Sequence, residues 1–300
     1  MLEKKDVPEE QPEVRQENAP AKKQAMAIVA IVVAVIAAVG GGAYWYVNYQ
    51  IPHQQAVERF NSACDDLDAR TEKVDEVIAE IQELQAGDDK PLDEGVDAAA
   101  SNTIGQAQAA KEMAPEMPSG TDEINAVAGE IDKMGDYSGV LDSLASAKRE
   151  LQDSIAQLKQ VTNPSEAFVV GRITGLANVV GVEAATETND PNGNLGKAGG
   201  YTAAVYFSSD LVDQSDVYPS EGYTGIVAVG TDGGGCVEVY ATADDAAKRN
   251  DYLAAFDGSI LSSGSHEVLG TCVIRTSDKL TASQQQAMTA EIRDALIRLD

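Results

Sequence analysis

Residues 26–47, MAIVAIVVAVIAAVGGGAYWYV, carry no charged side chain over 22 positions. At about 1.5 Å per residue a helix of that length reaches ~33 Å, enough to cross the hydrocarbon core of a bilayer. Tyr44, Trp45, Tyr46 and Tyr49 gather at its far end, where aromatic rings favour the headgroup layer. From Gln54 the pattern becomes amphipathic. Val57, Phe60, Cys64, Leu67, Thr71, Val74, Ile78, Ile81 and Gln85 step by three and four, a heptad seam with a polar position at Thr71. Gly87 and the GDDKP turn stop that helix. An Ala-rich segment follows from Leu92 to Met113, and APEMPSG breaks it with two prolines. Thr121, Asp122 and Glu123 open a third helix, which MGDYSG interrupts. Leu141, Leu144, Ala147, Leu151, Ile155 and Leu158 then form a last stripe before TNP.

Each stripe must be buried against something. Short connections favour antiparallel neighbours, so the pattern predicts a helical hairpin or a bundle of three to four helices. The alternative is self-association through the seam in a parallel dimer, which the acidic seam edge disfavours.

After Pro164 the texture changes. A short helix fits residues 165–177. VVGVEAAT, YTAAVYF, CVEVYAT and HEVLGTCVIRTS read as strands, the second with Tyr201, Ala203, Val205 and Phe207 on one face. Thr242 with Asp245 opens a helix that Gly258 closes, and Thr281 with Gln284 forms a capping-box pattern before Met288, Ile292 and Leu296. The expected fold is a membrane-anchored α-helical stalk or bundle followed by a small α+β sandwich, one sheet with helices on one face. The expected divisions are a disordered tail over 1–23, a transmembrane signal-anchor helix over 24–49, a helical stalk over 50–162 and an α+β domain over 163–300.

TETNDPNGNLGKAGGYTAAVYF, GTDGGGCVEVYATADDAAKRNDYL and GTCVIRTSDKLTASQQ resemble a family of uncharacterised cell-envelope proteins of Gram-positive bacteria. In that family a lipid anchor or a single membrane helix precedes a similar C-terminal module. The resemblance covers residues 163–300. It implies an envelope location and an α+β fold, and it carries no site residue with it.

Charge sharpens the picture. The chain has 300 residues and a net charge of −27. Residues 1–25 hold 5 basic and 6 acidic groups, residues 50–163 hold 9 and 24, and residues 164–300 hold 8 and 19. Neither large segment offers a basic patch for phosphates, which disfavours nucleic-acid partners. Lys22 and Lys23 flank the near end of the apolar run, with Arg15 behind them, whereas Arg59 is the first basic residue beyond it. The positive-inside bias puts residues 1–23 in the cytoplasm and residues 50–300 outside. A cleaved signal peptide is the rival, since AVGGGA supplies small residues after the apolar run. The long leading tail and the aromatic cluster favour an uncleaved anchor. No Cys follows closely enough for a lipid attachment site.

Candidate chemistry is sparse. In TNDPNGNLGKAGGY, Asp190, Asn192 and Gly193 match part of a calcium-loop pattern. Thr188 fills the first ligand position poorly, and Gly199 stands where a bidentate Glu belongs. Glu187, Asp190 and Asn192 are therefore weak metal candidates beside the favoured reading, a turn feeding a strand. The glycines of GTDGGG precede a strand rather than a helix, and no Lys-Ser/Thr pair follows, so they read as a connection rather than a phosphate loop. There are two histidines, His53 and His266, and no hydrolase, zinc-protease or Cys-x-x-Cys motif. No cofactor is implied. Cys64 reads as a small buried residue on the seam, with an interchain disulfide as the alternative. Cys236 and Cys272 sit on strands expected to be parallel and adjacent, a candidate disulfide in an oxidising exterior. Their alternation points them to opposite faces, and both outcomes stay open.

The function expected is that of a non-enzymatic single-pass envelope protein presenting a binding module to an unknown protein or cell-wall ligand. The alternative is a sensor or accessory subunit of a membrane complex.

Overall fold

The computed structural model describes residues 20–220, 224–259 and 262–300, with side chains from Met26 onward. Most of the expected disordered tail, residues 1–19, lies outside the described residues. Helix α1 (Pro20–Trp45) runs through a π-helical turn, Tyr46–Gln50, into α2 (Ile51–Ala86). Near the N-terminus this helix is long and apolar enough to cross a membrane. The π-turn has a cause in the sequence. Pro52 has no N–H for the Asn48 carbonyl and its ring would crowd that carbonyl, so the turn before it widens. The Ile51 N–H accordingly reaches back five residues to the Tyr46 carbonyl.

Contacts divide the chain into two units. Of the described residues, the first comprises 20–70 with 112–135. Here Ala56, Phe60, Ala63 and Leu67 of α2 pack against Ile124, Ala128 and Ile131 of α4 (Thr121–Ile131). Val57 and Cys64, expected on the seam, are only half-buried, because the small Ala56 and Ala63 take the closest approach. Arg70 donates to the Met134 carbonyl at 2.7 Å, and the Gly135 N–H donates to Glu112 at 2.7 Å.

The second unit comprises residues 71–111 with 136–300. The expected 50–162 bundle is thus shared between the two. Val74, Ile78 and Ile81 of α2 meet Ala100, Ile104 and Ala107 of α3 (Gly95–Ala109) and Leu144, Leu151 and Ile155 of α5 (Ser138–Gln160). The seam is therefore buried within the chain, by α4 in one unit and by α3 and α5 in the other.

The α+β part of this unit begins with α6 (Glu166–Ile173), capped by the Ser165 side chain. The strands are β1 (Val179–Ala184), β2 (Tyr201–Ser209), β3 (Gly234–Tyr240), β4 (His266–Leu269) and β5 (Cys272–Thr276). They form one sheet in the order β1-β2-β3-β5-β4, with every pair antiparallel. The short helix α7 (Ile226–Val229) precedes β3, α8 (Ala243–Ala254) follows it, and α9 (Ala282–Ile297) ends the fold. Thr242 caps α8, and Thr281 with Gln284 closes a capping box on α9.

Three expectations are corrected. Helices cover both faces of the sheet, not one. Val205, Phe207, Val237 and Ile274 face α6 and α9, whereas Ala204, Tyr206, Cys236 and Val273 pack with Ala246 and Leu253 of α8 and Val227 of α7. Every residue of β3 and β5 is buried, and strands buried on both sides need a layer on each. Second, HEVLGTCVIRTS is a hairpin rather than one strand. Gly270 turns it at φ +60°, and Thr271 is tied to residues before α6 through the Val161 carbonyl. Chain leaving β3 through α8 therefore enters the edge strand β4 and returns beside β3 antiparallel, not parallel. Third, a bulge between Tyr201 and Ala203 turns Tyr201 away from Ala203, Val205 and Phe207 and into the α8 face.

Candidate functional site

The loop 188–201 is organised by one side chain. Asp190 accepts from the backbone N–H groups of Asn192 at 3.1 Å, Asn194 at 2.6 Å and Leu195 at 2.8 Å, and from the Tyr201 hydroxyl. Burial works against its charge, but the Tyr201 hydroxyl and these N–H groups outweigh it and hold its pKa low. Asn192 donates to the hydroxyls of Tyr201 and Tyr206 at 3.4 and 3.3 Å. Glu187 is exposed, and no hydrogen bond joins it to either residue. Among the described residues no group of three His, Cys, Asp or Glu converges as a metal site. Asp190 is turned inward, toward the loop's own amides, so the three weak metal candidates do not act together.

Beside this loop the α8 face carries a buried charge cluster that sequence reasoning missed. Glu238 of β3 is fully buried and accepts four hydrogen bonds. Arg249 of α8 grips it with Nε and Nη2 at 2.8 and 2.9 Å. Arg275 of β5 donates through Nη1 at 2.8 Å, and the Tyr240 hydroxyl donates at 2.9 Å. Burial alone would push the Glu238 carboxyl up, but the Arg249 and Arg275 guanidiniums outweigh it and hold its pKa down. Burial pushes Tyr201, Tyr206 and Tyr240 upward, so all three stay protonated. The signal was present in CVEVY and CVIRT: one charge in the middle of each apolar strand demands a partner of opposite sign. Which partner it finds depends on strand order.

Two guanidiniums serve one carboxylate. Arg275 Nη2 donates to Ser263 at 3.0 Å, but Arg249 Nη1 and Arg275 Nε have no acceptor among the described residues. No buried side-chain nitrogen or oxygen there lacks a partner, so these two N–H groups lie on accessible surface. A cavity of about 410 Å³ opens over them. Its walls are Tyr252, Leu253 and Phe256 of α8 and the residues after it, with Asn192 and Ser263 at the sides. Among the described residues no Asp or Glu lines it.

A second cavity, about 400 Å³, lies between β4 and α9 beside His266, Glu267 and Arg293. The His266 ring meets Asn250 at 2.7 Å and Asp257 at 3.3 Å, with no nucleophile joined to it among the described residues.

Cys236 and Cys272 are both free. Cys236 stands opposite Arg275 on the α8 face, and Cys272 stands opposite Val239 on the α9 face. The candidate disulfide does not form, because neighbouring antiparallel strands hold the two thiols on opposite sides of the sheet. Burial pushes the Cys272 thiol up to about 12. Burial, and then the Glu238 charge, push Cys236 up as well. Neither is a ready nucleophile. Compared with known protein families, curated proteins and solved structures, the chain matches none.

Proposed function

We propose that this protein is a non-enzymatic, single-pass component of a bacterial cell envelope, of the Gram-positive type. In this reading residues 24–49 anchor it, residues 1–23 face the cytoplasm, and residues 50–300 present a binding module outside. The observation that carries the reading is the apolar helix itself. Ile28, Ile36 and Val39 are 63%, 65% and 67% exposed, and no residue from Met26 to Tyr49 is buried. Among the described residues none buries any of its faces. A helix apolar all round in water leaves each aliphatic side chain short of the roughly 1.5–3 kcal/mol that burial provides, and lipid supplies that burial.

A binding role is favoured over catalysis by the chemistry of the α8 cavity. The groups that converge on it are guanidiniums, which neither take up nor release protons at neutral pH. Two measurements test the placement. Alkaline carbonate washing should leave the full chain with the membrane fraction. Protease added to wall-stripped cells should digest the C-terminal module while a tag at residue 1 survives. Release by carbonate, or a protected C-terminus, overturns the reading.

A further inference from the structure

We propose that the cavity over Arg249 and Arg275 binds a small monoanionic carboxylate carrying a flat apolar body. The inference deepens the binding reading above by naming a ligand class for the α8 face.

Three observations carry it. The first is charge. In a chain with 49 acidic and 22 basic side chains, the described residues of the cavity wall include two arginines and no carboxylate. Glu238 beneath them neutralises one positive charge, so one remains. Asp190, in the loop that supplies Asn192 to the wall, is occupied by the amides of its own loop and Tyr201. The surplus positive charge faces the cavity, where a bound anion would pair with it.

The second is geometry. Arg249 Nη1 and Arg275 Nε are N–H donors without acceptors among the described residues, on two guanidiniums locked by Glu238. Locked planar donors suit a carboxylate, and their orientation costs nothing on binding. An excess of one charge suits a monoanion. A dianion would bring a second negative charge into a protein already at −27.

The third is the wall. Tyr252 lies 5.5 Å from the Arg249 guanidinium and packs edge-on against Phe256, with ring centroids 5.1 Å apart. Tyr252 is 57% exposed, so its ring has a free side toward an incoming group. Leu253 adds aliphatic surface. A cavity of this size falls within the range of small-ligand sites, about 300–1,000 Å³. Among the described residues the polar features of the wall are the arginines, Ser263, Asn192 and the Tyr252 hydroxyl, and the Tyr252 and Phe256 rings with Leu253 supply the apolar surface for the body of the ligand.

The test uses the full chain in lipid nanodiscs, with empty nanodiscs as the blank, and saturation-transfer NMR. The probe is benzoate, with benzamide as its neutral isostere and inorganic phosphate as a competitor. Benzoate is expected to bind and benzamide to give only the blank signal. Phosphate at equal concentration should leave benzoate bound. Tyr252→Ala removes an exposed ring that lies against the Arg249 guanidinium but makes none of the hydrogen bonds to Glu238, and it should weaken benzoate at least about fivefold. Arg249→Lys keeps the charge but loses the planar fork and should weaken it by a similar factor. Far-ultraviolet circular dichroism checks that both variants remain folded. Equal signals from benzoate and benzamide, no benzoate signal above the blank, or unchanged affinity in both folded variants overturn the proposal. Displacement of benzoate by phosphate overturns the carboxylate assignment. None of these outcomes bears on membrane anchoring, which carbonate extraction decides separately.

Discussion

Glu238 gathers two arginines onto one buried carboxylate. Its carboxylate accepts from Arg249, Arg275 and Tyr240, and all four groups are bound up in one cluster. Removing one partner of a buried pair strands the other charge, at a cost of about 3–5 kcal/mol. Glu238→Ala is therefore expected to lower stability by that order, and thermal unfolding of the full chain in detergent measures it. The pH dependence follows from the direction of the shift. The folded pKa of Glu238 lies below its ordinary value of 4.5, so the folded state binds its proton less readily than the unfolded state does. The stabilisation is complete above about pH 4.5 and is lost as pH falls through the folded pKa. Glu238→Gln should flatten the acid limb of the stability curve relative to the native chain, and an unchanged limb would contradict the assignment. Asp190 gives a different expectation. Its oxygens already accept from three amides and a hydroxyl, so millimolar calcium should leave the melting temperature where it was. A rise of several degrees that disappears in Asp190→Asn would make the loop a cation site.

At the scale of elements, local signals and long-range pairing part company. Thr242 and Thr281 with Gln284 act within a turn of themselves, and the caps of α8 and α9 are visible from sequence chemistry; Pro52 acts just as locally, but the π-turn it causes came from the structure. Pro52→Ala restores an N–H for the Asn48 carbonyl. It should return Tyr46–Gln50 to regular α-helix and slow amide hydrogen exchange there severalfold, read by mass spectrometry of the chain in nanodiscs. Unchanged exchange would mean that the widened turn has another cause. The strands were legible as elements but not as a sheet. Gly270 was readable as a breaker, yet only the tie from Thr271 to the Val161 carbonyl shows that the break is a hairpin. The bulge at Tyr201–Ala203 has no local signature in YTAAVYF, because it arises from the register with Tyr240 and Val239.

At the scale of the whole molecule, the change of texture near Pro164 suggests a boundary that the packing crosses. Val161 is fully buried in the core under the sheet, and its carbonyl accepts from the Thr271 amide and hydroxyl at 3.0 and 3.3 Å. Gln160 donates to the Leu296 carbonyl at 2.6 Å. Val161→Ala is expected to cost about 2 kcal/mol and to lower the melting temperature by roughly 4–8 °C. The matching change should be faster hydrogen exchange in β4 and β5. Exchange that quickens only in α5 would show that the sheet does not depend on this contact.

What the sequence determined by itself is whatever depends on near neighbours or on composition. The apolar span, the heptad spacing of α2, the helix caps, the excess of acid and the turn at Asp190 all follow from side chains within a few positions of one another. What the tertiary structure alone decided is which distant residues meet. The order β1-β2-β3-β5-β4 sets Glu238 beside Arg275, and the crossover through α8 brings Arg249 over both. Those residues stand 37 and 11 positions from Glu238, with no periodicity linking them. The same antiparallel neighbours keep Cys236 and Cys272 apart. A charge in an apolar strand announces that a partner exists. Only closure of the sheet, which couples side chains through backbone hydrogen bonds between strands, names it.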